Sequence, residues 1–206
     1  MRDQKVNVYS DFKLLLLSGF ISGGAVMSAE LVSAKLISSF YGNSLYVWSA
    51  VLAITLGGLA SGYFLGGYLS TNKKRSTILT TVFFLVALLM FFMPALSSFT
   101  MEWTLGISLK AGIVISSLIF VFPPLCCFGM VSPLIIGSME QKINEPGKVS
   151  GIVYSISTIG GIIFTFLTGY YLIPYWGLKE TSYLMGILLG LSVVFTFFSK
   201  TKQSNI

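Results

Sequence analysis

Residues 45–69 read LYVWSAVLAITLGGLASGYFLGGYL, with no charged side chain among them. A helix needs about 20 apolar residues to cross the hydrocarbon of a bilayer, so this stretch predicts a membrane-spanning helix. Within it Gly58, Gly62 and Gly66 recur every fourth residue. Small residues at that spacing form a groove into which a neighbouring backbone can settle. The rest of the 206-residue chain has the same character: 54% hydrophobic, 10% charged, mean hydropathy +0.85. A soluble domain carries roughly 25% charged residues. The composition therefore excludes a soluble globular domain, a disordered chain and a nucleic-acid-binding domain. It predicts an all-α polytopic membrane protein, with residues 1–206 forming a single transmembrane domain.

Six spans are expected. Leu14–Phe40 is helix 1, Leu45–Leu69 helix 2 and Thr77–Leu96 helix 3, followed by a loop from Ser97 to Thr104. Leu105–Ser138 is too long for one straight crossing and contains Pro123, Pro124 and Pro133. Proline lacks a backbone N–H and crowds the preceding turn, so helix 4 should kink or break at the proline pair. Val149–Ile173 is helix 5, Pro174–Lys179 a tight turn and Glu180–Phe198 helix 6.

Six crossings put both termini on one side. Ten of the thirteen lysines and arginines then share that side, in the termini and in the loops at Lys73–Arg75 and Lys142–Lys148. Only Lys110 and Lys179 face the other side, and Lys35 lies within helix 1. Basic loops stay cytoplasmic, which predicts an integral protein of a bacterial cytoplasmic (inner) membrane with both termini inside. Tyr46, Trp48, Trp103, Tyr175 and Trp176 fall at the opposite ends of the spans, as an interfacial aromatic belt would.

The chain has no histidine, and its two cysteines, Cys126 and Cys127, are adjacent. Histidine-based catalysis and metal binding are thereby excluded, and the cysteines lack metal-ligand spacing. No carboxylate pair at catalytic spacing and no phosphate-cradling loop lies in the spans. The chain is expected to be no enzyme and to use no metal and no cofactor.

The chain also resembles itself at half its length. Gly57-Gly58 and Gly160-Gly161 are 103 residues apart, and the same offset places Gly66 on Gly169 and Gly62 on Thr165. Gly161, Thr165 and Gly169 thus mirror the small-residue groove of helix 2. Helices 2 and 5 run in opposite directions, so the halves, about 1–103 and 104–206, would be a 3+3 inverted repeat. Many secondary transporters are built in this way, including each six-helix half of a major facilitator.

Several segments resemble the membrane domain of spermidine-synthase-like membrane proteins, the fused facilitator/synthase proteins. They are Ser22-Gly23-Gly24 followed by Glu30 and Lys35, Gly42-Asn43-Ser44 leading into the helix 2 glycines, Phe122-Pro123-Pro124 with Gly129–Leu134, and Gly147–Gly151 continuing through Gly160-Gly161 to Leu172–Leu178. Position 35 is Lys where that family more often has Arg. The soluble aminopropyltransferase-like domain that usually follows is not represented in these 206 residues, which carry no βαβ nucleotide-binding unit. Gly67–Arg75 is similar to a facilitator loop motif, with Thr71 and Lys74 in place of its acid and second glycine. The resemblance implies a facilitator-like half and leaves the task of that half open.

Glu30 is the carboxylate deepest in a span. A charge at the bilayer centre costs roughly 2.5–3.5 kcal/mol on insertion scales, so Glu30 should face protein or water. Lys35 is about 140° around the helix from Glu30 and can snorkel toward the headgroups, which argues against a pair between them. Gly23, Glu30, Ser33 and Ala34 share one narrow face. Glu30, Ser33 and Lys35 are the candidate solute- or proton-binding residues. Two functions fit. One is a transport-type module that binds or moves a small solute, cations included, working with lipids around it and a homodimeric or other partner half. The other is a non-transporting anchor or assembly subunit for another protein, with an aminopropyltransferase-like enzyme as one candidate. No nucleic-acid partner is expected.

Overall fold

A computed structural model describes residues 2–140 and 145–203, with side chains described over 12–139 and 145–197. Lys142 and residues 204–206 lie outside the described residues, as do the side chains of Arg2, Lys5, Lys200 and Lys202. Among the described residues the chain is helical and has no strand. The helices are α1 (Arg2–Tyr41), α2 (Leu45–Ser70), α3 (Arg75–Trp103), α4 (Leu109–Phe120), α5 (Phe122–Glu140), α6 (Pro146–Phe166) with a π-helical extension (Leu167–Trp176), and α7 (Leu178–Gln203). Six segments are long and apolar enough to cross a bilayer: Phe12–Tyr41, Leu45–Ser70, Arg75–Trp103, Phe122–Met139, Pro146–Trp176 and Leu178–Phe197. The protein is an all-α polytopic membrane protein.

The fourth expected helix breaks where the prolines require it. Pro123 and Pro124 cannot donate to the carbonyls of Ile119 and Phe120, and α4 ends at Phe120. Both prolines then occupy the first turn of α5, where a missing N–H costs nothing. Pro133 sits inside α5 without ending it.

Two boundaries differ from expectation. The segment 97–104 is not a loop, because α3 runs through Pro94 to Trp103. Pro94 leaves the carbonyl of Met90 without its helical donor, and Ser182 Oγ of α7 donates to that oxygen at 2.5 Å. A neighbouring helix thus supplies the bond that the proline withholds. Nor is 174–179 a tight turn. Pro174 lies within the π-helical extension, whose wider turn relieves the clash of the ring. The reversal is made at Gly177, with φ +98°. Its N–H donates to the carbonyls of Leu172 and Ile173, each at 3.1 Å.

Three pairings dominate the bundle: α2 on α5, α1 on α6 and α3 on α7. In the α2–α5 seam, a Cβ at Gly58 would lie 3.0 Å from Leu125 Cβ, and one at Gly66 would lie 2.6 Å from Met130 Cα. A Cβ at Gly62 would strike the carbonyl of Cys126. From the other side, a Cβ at Gly129 would lie 2.5 Å from the carbonyl of Leu59. The expected groove of Gly58, Gly62 and Gly66 therefore holds α5 backbone to backbone. Cys126 and Cys127 are free thiols beside this seam.

The α1–α6 seam has a different register from the expected one. A Cβ at Gly23 would strike the carbonyl of Ser157, and one at Gly160 would strike that of Phe20. Gly161 faces the flexible Met27 Cγ at 3.2 Å, and Gly169 has only Leu31 Cδ1 at 3.9 Å. Thr165 donates its hydroxyl to the carbonyl of Gly161 at 2.7 Å. Further along, Ser28 and Thr168 share a hydrogen bond of 2.7 Å.

Candidate functional site

The two seams bound a cavity. α1 and α6 form one wall, α2 and α5 the other. α2 and α6 do not pack on each other, and the space between them is the opening, flanked by the half-exposed Tyr63 and Tyr154. The cavity holds about 380 Å³, within the range of small-molecule sites. It lies near the middle of the spans: α1 contributes residues 22–27 of the span 12–41, and α6 contributes 154–166 of the span 146–176.

Its chemistry is set by hydroxyls and rings. Ser22 comes from α1, Tyr63 from α2, Ser132 from α5, and Tyr154 and Ser157 from α6. Among the described residues none of these five hydroxyls makes a hydrogen bond. Their neighbours behave differently. On α1, Ser18, Ser28 and Ser33 all turn back onto the carbonyl four residues earlier. On α6, Thr158 and Thr165 do the same at 2.7 Å. That local bond is the usual refuge of a hydroxyl in a membrane helix. Ser22, Ser132 and Ser157 forgo it on the cavity wall. Met27, Phe128 and Phe166 give the cavity its apolar surface. No charged side chain lines it.

The structure separates the three residues singled out in helix 1. Ser33 is buried, and its hydroxyl is spent on the carbonyl of Ala29 at 2.5 Å. Lys35 is exposed on the opposite side of α1. Glu30 does not line the cavity, yet it continues the stripe that does. At about 100° per residue, Ser22, Gly23, Val26 and Met27 define a face whose centre passes through position 30. Glu30 stands roughly one turn beyond Met27, toward the C-terminal end of α1. Helical side chains lean toward the N-terminus of their helix, which for Glu30 is the direction of the cavity. Among the described residues its carboxylate has no hydrogen-bond or ion-pair partner.

The prolines of α5 bear on the site unequally. Pro123 and Pro124 lie in the first turn of α5 and do not line the cavity. Pro133 follows Ser132 directly and leaves the carbonyl of Gly129 without its helical donor. Gly161 and Thr165 line the cavity, whereas Gly58, Gly62, Gly66 and Gly169 do not.

The wall hydroxyls were not singled out in the sequence. Ser22 lies in the Ser22-Gly23-Gly24 segment of helix 1, and Tyr63, Ser132, Tyr154 and Ser157 belong to no motif that points to binding. Their one available signal is polarity deep within apolar segments, which they share with many serines that merely bond their own helix. Among the described residues there is no cluster of three metal-ligating side chains. In comparisons with family models, characterised proteins and solved structures, nothing matched this chain.

Proposed function

We propose that the protein is a transport-type membrane module, not an enzyme, which binds a small solute in the cavity between α1, α2, α5 and α6. The observation that carries this reading is a half-open cavity midway along the spans, walled by five hydroxyls with no hydrogen-bond partner among the described residues. Such groups are costly to leave beside hydrocarbon. A solute or water satisfies them.

The packing supports a facilitator-like 3+3 arrangement. Exchanging the halves carries α2–α5 onto α6–α1, α1–α7 onto α5–α3, and α3–α7 onto itself, and all of these are contacts of the bundle. Substrate sites in inverted-repeat transporters lie near the midplane at the repeat interface, where this cavity lies. In this reading both termini face the cytoplasm, in keeping with the basic loops, and Glu30 provides a charge or a proton site at one end of the cavity. The opening between α2 and α6 leaves room for a second half, from another copy or a partner. Kinship with spermidine-synthase-like membrane domains, which the sequence motifs lead one to expect, is part of this proposal. No feature of the structure favours the anchor reading.

Uptake into proteoliposomes tests the proposal. A panel of labelled small solutes is offered to wild type, to Thr158→Trp, which fills the cavity, and to Leu85→Trp on the exposed side of α3. At least one solute should enter above protein-free vesicles, with Thr158→Trp slowing it at least about tenfold and Leu85→Trp leaving it unchanged. Glu30→Gln should also reduce flux at normal expression. Uptake equal to protein-free vesicles for the whole panel, with a stable partner co-purifying in mild detergent, would favour the anchor.

A further inference from the structure

We infer that the cavity selects an uncharged, ring-bearing solute with hydroxyl groups, and this rests on the cavity being the solute site. The wall has no charged side chain. A solute with a net charge at this depth would lose its hydration without gaining a counter-ion, and the membrane interior penalises that strongly. Hydroxyls suit a neutral partner because each can donate or accept.

The arrangement also specifies the shape of the solute. Tyr63, Phe128, Tyr154 and Phe166 supply aromatic surface, and Ser22, Ser132 and Ser157 supply polar points on α1, α5 and α6. A planar ring presents a flat apolar face to the former, and hydroxyl substituents reach the latter. Apolar lining with a few placed polar groups is the general pattern of small-molecule recognition. Glu30 is no counter-ion within this site, since it lies beyond the lining and roughly one turn along α1. The solute class is thus set by the wall and not by the one deep acid.

Three probes of nearly equal shape test this. They are 2-(4-hydroxyphenyl)ethanol, which is neutral, tyramine, which carries an ammonium, and 4-hydroxyphenylacetate, which carries a carboxylate. Binding to the full chain in nanodiscs is measured by calorimetry. The neutral probe should bind at least about tenfold more tightly than either charged one, in line with unpaired buried charge. Ser22→Ala combined with Ser132→Ala should weaken it about tenfold, as expected for two neutral hydrogen bonds, while Leu85→Trp on the exposed side of α3 should leave it unchanged. Equal binding of all three probes, preferential binding of tyramine, or no binding of any at millimolar concentration would overturn the inference. The transport reading fails separately. Selective binding of the neutral probe with no flux of any solute would sink transport and leave this site standing, whereas flux of a charged solute would do the reverse.

Discussion

The seam between α2 and α5 and the seam between α1 and α6 are built with the same device to different ends. In the first, Gly58, Gly62, Gly66 and Gly129 bring two backbones together over about two turns. In the second, the tightest backbone contacts are Gly23 against Ser157 and Gly160 against Phe20, with a Cβ at Gly161 meeting the Gly23 carbonyl only at 3.5 Å. Beyond them, Gly24 meets the ring of Phe164 and Gly161 meets the Met27 side chain. Glycine grooves in one bundle thus serve two purposes. One seam closes along its length. The other closes at one level and opens a hydroxyl-lined wall beside it.

Substitutions can break this contrast. The largest effect is expected at Gly62, where any side chain meets the backbone of Cys126. Gly62→Leu should cost about 3 kcal/mol or more, read as loss of the monodisperse protein in detergent. Gly57 has nothing within 4 Å, and Gly57→Leu should fold normally. Next come Gly23→Ala and Gly160→Ala, each expected to cost about 1–3 kcal/mol in denaturant-dependent unfolding. If these prove harmless while Gly62→Leu does not, the α1–α6 seam is looser than its geometry indicates.

These pairs also mark what the sequence could and could not disclose. The α2 groove was legible because its glycines repeat every fourth residue and all face one helix. The α6 groove was legible only in part, because the repeat aligned Gly161, Thr165 and Gly169: Gly161 does pack on α1, but the tightest contact falls on Gly160. A one-residue shift turns a helical position by about 100°, and the adjacent Gly161 disguises it. The break at Pro123-Pro124 was legible for a local reason, two missing donors in succession. The continuation of α3 through Pro94 was not, because its remedy is Ser182, 88 positions away in the chain. Six spans follow from local hydropathy. The cavity depends on which hydroxyls lack a local bond, and that is a property of packing.

Smaller effects sharpen the comparison. Ser182→Ala removes the donor to the Met90 carbonyl and should cost about 1–3 kcal/mol, shown by a lower midpoint of thermal unfolding. Gly161→Ala should cost less than Gly160→Ala, because the Met27 side chain can yield. Gly169→Ala should be neutral or slightly stabilising, by up to about 1 kcal/mol, since alanine is the better helix former. A loss at Gly169 equal to that at Gly160 would restore the groove expected from the repeat.

The most direct test asks whether water reaches the wall between the seams. In a Cys126→Ala, Cys127→Ala background, Ser132→Cys is exposed to a small water-soluble thiol reagent in sealed membranes, with Ile163→Cys on the exposed side of α6 as the reference. Rapid modification of Ser132→Cys and none of Ile163→Cys is the expected result. An unreactive Ser132→Cys in a folded protein would mean a dry, packed bundle, and the solute site proposed here would not exist.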